Sequence, residues 1–576
     1  MINDQKFSML KVASSTEKPL PVPKSMKEWF TPYEHQAGAV KKLRDNNGKL
    51  ILAHAMGTGK TVTSIYGVEV LKHDGKATNT LIVVPAALRE NYARKGLEKF
   101  LKNPEFQIVG TTSEKSRPNY VRPSDVSNKA YTIVSYSMFR RDPEGLMKRT
   151  GADTLIFDEF HKTRNESSGT FKAAMEARKH ARNFIGLTAS MINNEPAEVA
   201  SLTTISEGKR FGSPSEFRRH FTRVVGYEKG FGKTKKKVRV LQRHGELVKF
   251  VDPKVSYVPT EAIKGKSMPV KDMKFVDVPM SEDQYRLYQL SLNKLGPVKT
   301  HVTRKDPSVV VKKIDPKLVF AQTSHARQIA NSVHMGRKMD LATSAKKTPK
   351  VKRLLDDVEH HLKKNPDGKA VVYSNLIHGG VDVLSAGLKD RGMAHATFIG
   401  KGTEVGGGKI TSKSRDAGIR DFQAGKKKVL VLSGAGAEGL DLPNATGFYS
   451  LDGHFNPEKI LQAEGRVRRL GGQSHRPPEQ RKVEVRRYRN LAPASKRPGF
   501  FGKMFGKKTP RTTDQWMYST AGRKRRQSEE FYTTIKEPTK YTRRWRNEKG
   551  EWEYEYPKKT SPTKLRKIPS LMRKHE

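Results

Sequence analysis

From Lys49 onward, short apolar runs alternate with longer amphipathic stretches. Short apolar runs separated by amphipathic stretches are the pattern of βαβ units and a parallel sheet. Candidate strands are Leu50–Ala53, Leu81–Val84, Thr132–Ser135, Leu155–Phe157 and Phe184–Leu187. A second series follows at Ala370–Tyr373, Ala394–Ile399, Val429–Leu432, Gly447–Leu451 and Val483–Arg487. Two α/β lobes are predicted, over 31–205 and 341–490. Residues 1–30, with Pro19, Pro21 and Pro23, read as an extended lead-in. The interval 206–340 carries basic runs at Lys233–Lys237 and Lys312–Lys313, and one amphipathic piece, Ser281–Leu292. It is expected to hold helical protrusions and a linker. After about residue 491 the chain turns basic and aromatic, with clusters at Arg523–Arg526 and Arg543–Arg546, and forms a C-terminal extension.

The chemistry is concentrated where strands end. Leu50-Ile51-Leu52-Ala53 runs into His54-Ala55-Met56-Gly57-Thr58-Gly59-Lys60-Thr61. Glycines let backbone N–H groups close around phosphate at the positive end of the next helix, so this is a candidate phosphate loop. Met56, Gly57, Thr58 and Gly59 form its cradle, Lys60 suits the β- and γ-phosphates, and the Thr61 hydroxyl suits magnesium. His54 stands where the strict pattern has its first glycine. The strand Leu155–Phe157 ends in Asp158-Glu159-Phe160-His161. A carboxylate at such a strand end can hold the magnesium shell, and its neighbour can orient and deprotonate water. In Gln462-Ala463-Glu464-Gly465-Arg466-Val467-Arg468-Arg469, helical spacing sets Gln462, Arg466 and Arg469 on one face. They could meet a γ-phosphate whose charge grows during transfer.

Charge changes the picture of the partner. Lys and Arg total 111 against 59 Asp and Glu, a net +52. So large an excess repels itself in the compact state and calls for a polyanion. There is no cysteine, which excludes disulfides, thiolate metal sites and cysteine nucleophiles. No apolar run of membrane-spanning length or signal-peptide type occurs. A soluble, intracellular protein is expected.

Taken in order, these segments resemble helicase superfamily two, and within it the Swi/Snf-type DNA translocases. Tyr33-Glu34-His35-Gln36 is similar to the adenine-reading Q motif, with Gln36 as reader. The family usually has Asp-Glu at the positions of His54 and Ala55. Val84–Leu88 with Asn91, Ser135-Tyr136-Ser137 and Leu187-Thr188-Ala189-Ser190 resemble motifs Ia, Ib and III, the last followed by Ile192-Asn193-Asn194. Ser433–Leu442 resembles motif V, contributing Gly439 and Asp441 to nucleotide binding, with Asp441 where the family usually has Asn. Asp452, Asn456-Pro457, Gln462, Gly465, Arg466, Arg469 and Gln473 resemble the stretch through motif VI, with one extra glycine in Gly471-Gly472.

The resemblance implies two RecA-like parallel-sheet lobes with helical insertions, ATP and Mg2+ in the cleft between them, and a duplex across both. Lys60, Asp158, Glu159, Gln462, Arg466 and Arg469 would be catalytic, with Thr61 and Asp158 on the metal. The expected activity is an ATP-driven motor on nucleic acid, preferably double-stranded DNA, with a transcription, replication or packaging protein as a further partner. A triphosphatase or RNA helicase attached to a transcription machine, and a packaging protein on a decayed helicase fold, stand as alternatives.

Overall fold

The apolar runs become parallel strands in a computed structural model, which describes residues 20, 22–111, 114, 117–192, 195–209, 213–229, 235–259, 269–293, 299–303, 306–313, 316–400, 404–405, 408–434, 440, 442, 444–454, 457–469, 472–497, 512–536, 543–546 and 552–555. The first lobe contains β1 (Lys49–His54), β2 (Asn79–Val84), β3 (Phe106–Val109), β4 (Tyr120–Val121), β5 (Tyr131–Ser135), β6 (Ala152–Asp158) and β7 (Asn183–Thr188). Two strands from the connecting interval follow the hairpin β8 (Thr222–Lys229) and β9 (Lys235–Leu241): β10 (Val255–Val258) and β11 (Val270–Pro279). A second hairpin pairs β12 (Lys299–Thr303) with β13 (Asp306–Lys313). The second lobe has β14 (Lys369–Ser374), β15 (His395–Phe398), the two-residue strands β16 (Glu404–Val405) and β17 (Gly408–Lys409), β18 (Val429–Ser433), β19 (Ala445–Ser450) and β20 (Lys482–Leu491).

Two parallel sheets result. The first has eight strands in the order β10-β1-β7-β6-β2-β5-β3-β4, and the second six in the order β11-β20-β19-β14-β18-β15. Alternate residues of β1 explain why its run is apolar throughout. Ile51 and Ala53 enter one core cluster, while Leu50 and Leu52 enter the cluster on the opposite face. A strand covered on both sides has no polar face to show. In both sheets the central strands are the ones the sequence pattern predicts. The edge strands β10 and β11 come from the interval between the lobes, which also carries two antiparallel hairpins beside its helices. The periodicity at Ser281–Leu292 becomes a helix, Glu282–Asn293.

A long C-terminal helix, Thr513–Lys536, includes the cluster Arg523–Arg526 and reaches from one lobe to the other. Near its start Tyr518 packs into the second lobe's core, and near its end Phe531 and Tyr532 pack into the first lobe's. The Tyr532 hydroxyl accepts the Met191 N–H at 2.6 Å, and its ring stacks on Tyr257 of β10 at 4.1 Å between centroids. In the first turn, Asp514 accepts Lys350 Nζ at 2.7 Å and the Asn490 N–H at 2.9 Å. The Lys350 and Asp514 side chains are 0% and 1% exposed. Of the other tail residues, Tyr541 and Tyr556 lie outside the described residues. Among the described residues, no helix is long and apolar enough to cross a membrane.

Removing one member of a buried ion pair strands the other's charge. Asp514→Ala should therefore cost about 3–5 kcal/mol in denaturant unfolding. Arg353→Ala, which breaks an exposed pair with Asp357, should cost at most about 1 kcal/mol in the same assay. Equal effects of the two would contradict this account of the helix anchor.

Candidate active site

The loop between β1 and α2 (Lys60–His73) turns at two glycines with left-handed backbone, Gly57 at φ 77° and Gly59 at φ 85°. Side chains are strained there, and a Cβ on Gly59 would also stand 2.6 Å from Nε2 of Gln36. Lys60 Nζ folds back to donate to the carbonyl oxygens of His54 (3.0 Å) and Ala55 (3.2 Å). The Thr58 hydroxyl donates to the Ala55 carbonyl at 2.8 Å. These bonds hold the loop in a tight curl ahead of α2, the arrangement that leaves N-terminal N–H groups for an anion. The start of α1 (Glu34–Asp45) docks on this curl. His35 Nε2 lies 2.9 Å from the Thr58 carbonyl oxygen, and buried Gln36 accepts the Tyr33 N–H at 3.0 Å. Thr61, half-buried, lies in the first turn of α2.

β6 delivers the carboxylates. Asp158 accepts the N–H of Glu159 at 2.9 Å, and Tyr136 donates its hydroxyl proton to the Asp158 carbonyl at 2.7 Å. Burial, then the neighbouring charge of Glu159, push the Asp158 carboxyl above the usual range, while Lys60 and Arg466 pull it back down. Glu159 itself is left-handed, at φ 53° and ψ 47°. A non-glycine residue pays about 1 kcal/mol or more for that conformation, which is tolerated mainly at functional sites. Its Oε2 is buried, has no hydrogen-bond donor among the described residues and lies 3.3 Å from His161 Nδ1. That nitrogen also lies 3.4 Å from the Thr188 hydroxyl at the end of β7. Burial lowers the His161 imidazole to about 4, so it is neutral around pH 7.

The second lobe meets the loop backbone to backbone. The arginine helix spans Pro457–Val467. A Cβ on its Gly465 would lie 2.9 Å from Met56 Cβ, and one on Gly57 would lie 3.3 Å from the Arg468 carbonyl oxygen and 3.4 Å from Arg469 Cα. Gln462, Arg466 and Arg469 are half-buried. The expectation that all three share one helix is corrected at its end. The helix stops at Val467, Arg468 N–H closes its last turn on Glu464, and Arg469 accepts the Gly472 N–H at 3.0 Å in a turn. The glycines that follow favour that exit over another helical turn. The structure thus brings together Gln36, Met56–Thr61, Asp158, Glu159, Arg466 and Arg469. Gly439 and Asp441 lie outside the described residues, as do Asn193, Asn194, Asn456 and Gly471.

Sequence reasoning missed the groups that hold the arginine helix. Glu464 is buried and bonded to both Lys271 of β11 and Arg487 of β20, the latter at 2.7 Å. Those cations hold its carboxyl below the usual range against the effect of burial. A lone acid two places before Arg466 in a basic stretch was the available signal. Gln473 lies apart from the cleft, its amide donating to the carbonyls of Ala445 (3.1 Å) and Lys482 (3.3 Å).

Two family models match in sequence order, the SNF2-related domain over residues 28–339 and the helicase conserved C-terminal domain over 349–471. The chain belongs to the SNF2-related family. The uncharacterised ATP-dependent helicase YqhH of Bacillus subtilis (strain 168) is 24% identical to it, covering 77% of this chain and 73% of its own length. A RAD54-like DNA repair and recombination protein of Drosophila virilis is 24% identical, over 75% of this chain and 57% of that protein. Among solved structures, the Sulfolobus solfataricus SWI2/SNF2 ATPase core in complex with dsDNA aligns at 19% identity and TM-score 0.37, covering 90% of this chain and 99% of that one. This SNF2-related protein is an ATP-hydrolysing enzyme with a helicase core of two parallel-sheet lobes.

The close approach at Gly465 is testable on its own. Gly465→Ala should push the arginine segment off Met56 and lower ATP turnover on the order of 10- to 100-fold, because small displacements at a reacting centre are costly. ATP affinity, read by equilibrium binding, should change far less. Unchanged turnover would mean that the contact does not set the catalytic geometry.

Proposed function

We propose that this SNF2-related enzyme is a motor that translocates on double-stranded DNA, driven by ATP hydrolysis in the cleft between its lobes. One observation carries the reading: the phosphate loop and the arginine segment belong to different lobes yet touch at Gly57 and Arg468, with Arg466 acting on the Asp158 carboxyl. Such a site is complete only when the lobes close, which ties each turnover to a change in lobe spacing. In this reading Gln36 reads the base, Lys60 and the loop amides hold phosphate, and Glu159 orients and deprotonates the attacking water. Arg466 and Arg469 neutralise charge that grows on the γ-phosphate.

The donor set suits a magnesium ion. The half-buried Asp158 carboxylate, the Glu159 oxygen that has no donor among the described residues and the Thr61 hydroxyl in the first turn of α2 are hard oxygen ligands. Few protein ligands are needed where phosphates supply the rest. Thr61 and Asp158 would hold the ion, which when bound offsets negative charge on the phosphates. The net charge of +52 supports a nucleic-acid partner. A duplex is favoured by the likeness to the RAD54-like protein, named for DNA repair and recombination. The RNA reading draws on a mimivirus protein provisionally named an ATP-dependent RNA helicase, 22% identical over 80% of this chain and 89% of its own.

Lys60→Ala should abolish turnover, and Glu159→Gln should keep ATP binding while losing hydrolysis. Arg469→Ala should slow turnover with little loss of ATP affinity, because its partner charge develops late. Near-normal hydrolysis by the Glu159→Gln protein would remove that residue from the role of base.

Motion on an intact duplex is a separate expectation. Duplex DNA should stimulate ATPase activity more than RNA does, and the enzyme should displace a triplex-forming strand while leaving a forked duplex paired. Fork unwinding without triplex displacement, or stimulation by RNA alone, would replace translocation on DNA by one of the other readings.

A further inference from the structure

The chain passes from one lobe to the other between β10 and β11, and both ends of that passage touch the ATP site. β10 lies beside β1 in parallel register, with Leu52 opposite Ser256 and His54 opposite Val258. Past the end of β1, the Ala55 N–H donates to the Val258 carbonyl at 2.8 Å. The His54 ring is 0% exposed, and its Nε2 shares a 2.9 Å hydrogen bond with the Ser256 hydroxyl. The His54 carbonyl is one of the two that Lys60 grips. Burial, together with the charges of Lys60 and His35, holds the imidazole down at about 3, so it stays neutral. The neutral ring's Nδ1 has no hydrogen-bond partner among the described residues, so the bond to Ser256 is the contact that orients it.

At the far end, the Pro269 carbonyl accepts Arg468 Nε at 2.7 Å. Two residues on, Lys271 pairs with buried Glu464 of the arginine helix, which Arg487 also holds. β11 then runs along β20 for its whole length, from Val270 opposite Lys482 to Pro279 opposite Leu491, so this end is fixed to the second sheet. The contacts close a ring. Ser256 holds His54, the loop meets the arginine segment at Gly57, Arg468 is held by Pro269, and Pro269 is joined covalently to β10 through residues 260–268, which lie outside the described residues.

We propose that the two ends of the lobe-connecting segment position the halves of the ATP site, Ser256 acting on the phosphate loop through His54 and Lys271 acting on the arginine helix through Glu464. Neither Ser256 nor Lys271 is required to touch ATP. Each sets where a group that does so stands, and because the contacts form a ring, loosening it at one point releases part of what the other point restrains. The proposal rests on the catalytic roles given above to Lys60, Glu159, Arg466 and Arg469.

A double-mutant cycle on the full chain tests it, using Ser256→Ala, Glu464→Gln and the pair, with ATP turnover measured with and without saturating duplex DNA. Each single change should lower kcat about threefold to tenfold and move KM for ATP less than about twofold, and the pair should be little slower than the slower single variant. Ser256→Thr, which keeps a hydroxyl, should restore most of kcat. Where Ser256→Ala does not fold, Ser256→Cys preserves volume and weakens the bond. Effects on kcat that multiply, or single variants that turn over at the wild-type rate, would overturn the ring. Lys60→Ala and Glu159→Gln run alongside separate the two readings. If those two retain turnover, the catalytic assignment itself fails. If they lose it while the Ser256 and Glu464 effects multiply, only the positioning role fails.

Discussion

A half-buried carboxylate at the end of β6 is the constraint around which the molecule is arranged. Asp158 sits beside a second acid, Glu159, in a place where burial already disfavours charge. Two adjacent acids out of water are costly unless cations face them. One, Lys60, comes from the same lobe, and the other, Arg466, comes from the second. Electrostatic balance in the first lobe is therefore completed by the second. The fold places both contributions at strand ends, where a parallel sheet opens a crevice for ligands.

Close approach needs more than charge. Side chains at Gly57 and Gly465 would stand within 3.3 Å of the opposing lobe, so the glycines that make the loop also let the two lobes meet. His54 fits the same logic. A carboxylate at that position would be a further buried acid. A buried neutral imidazole fills the space without charge and takes its partner from β10 instead. The departure from the family's usual residue is thus matched by a polar residue on an edge strand far away in sequence.

What the sequence reveals follows from how each element is covered. Central strands such as β1, β6, β14 and β18 lie between two apolar layers, so their runs are unbroken and easily read. β3, a four-residue strand with Gln107 in it, and β10, whose Val-Ser-Tyr-Val alternates, offer too short a run for periodicity to find. β11, largely open to solvent and with Lys271, Asp272, Lys274 and Asp277 among its apolar residues, reads as part of the linker. The site was legible for a different reason. Phosphate loops and acidic strand ends set glycines, a lysine and acids in a fixed local order, so Lys60, Asp158 and Glu159 stand out as candidates. Ser256 and Lys271 act through partners some 200 residues away, at His54 and Glu464, and no local pattern marks them.

The same geometry limits how the lobes can move. The chain crosses between them after β10 and before β11, and the helix Thr513–Lys536 packs on both. These meet where Tyr532 stacks on Tyr257, one residue from Ser256. Tethers that converge at one place resist separation there and permit rotation about it, the condition for a hinge. Tyr532 also takes the N–H of Met191, which follows Thr188 and Ser190 in chain order, and Thr188 lies beside His161 at the carboxylates. The pivot is thereby wired to the acidic side of the cleft through one short stretch of chain. A rotation that moves the arginine segment away from Gly57 works against contacts that begin beside Asp158 and Glu159.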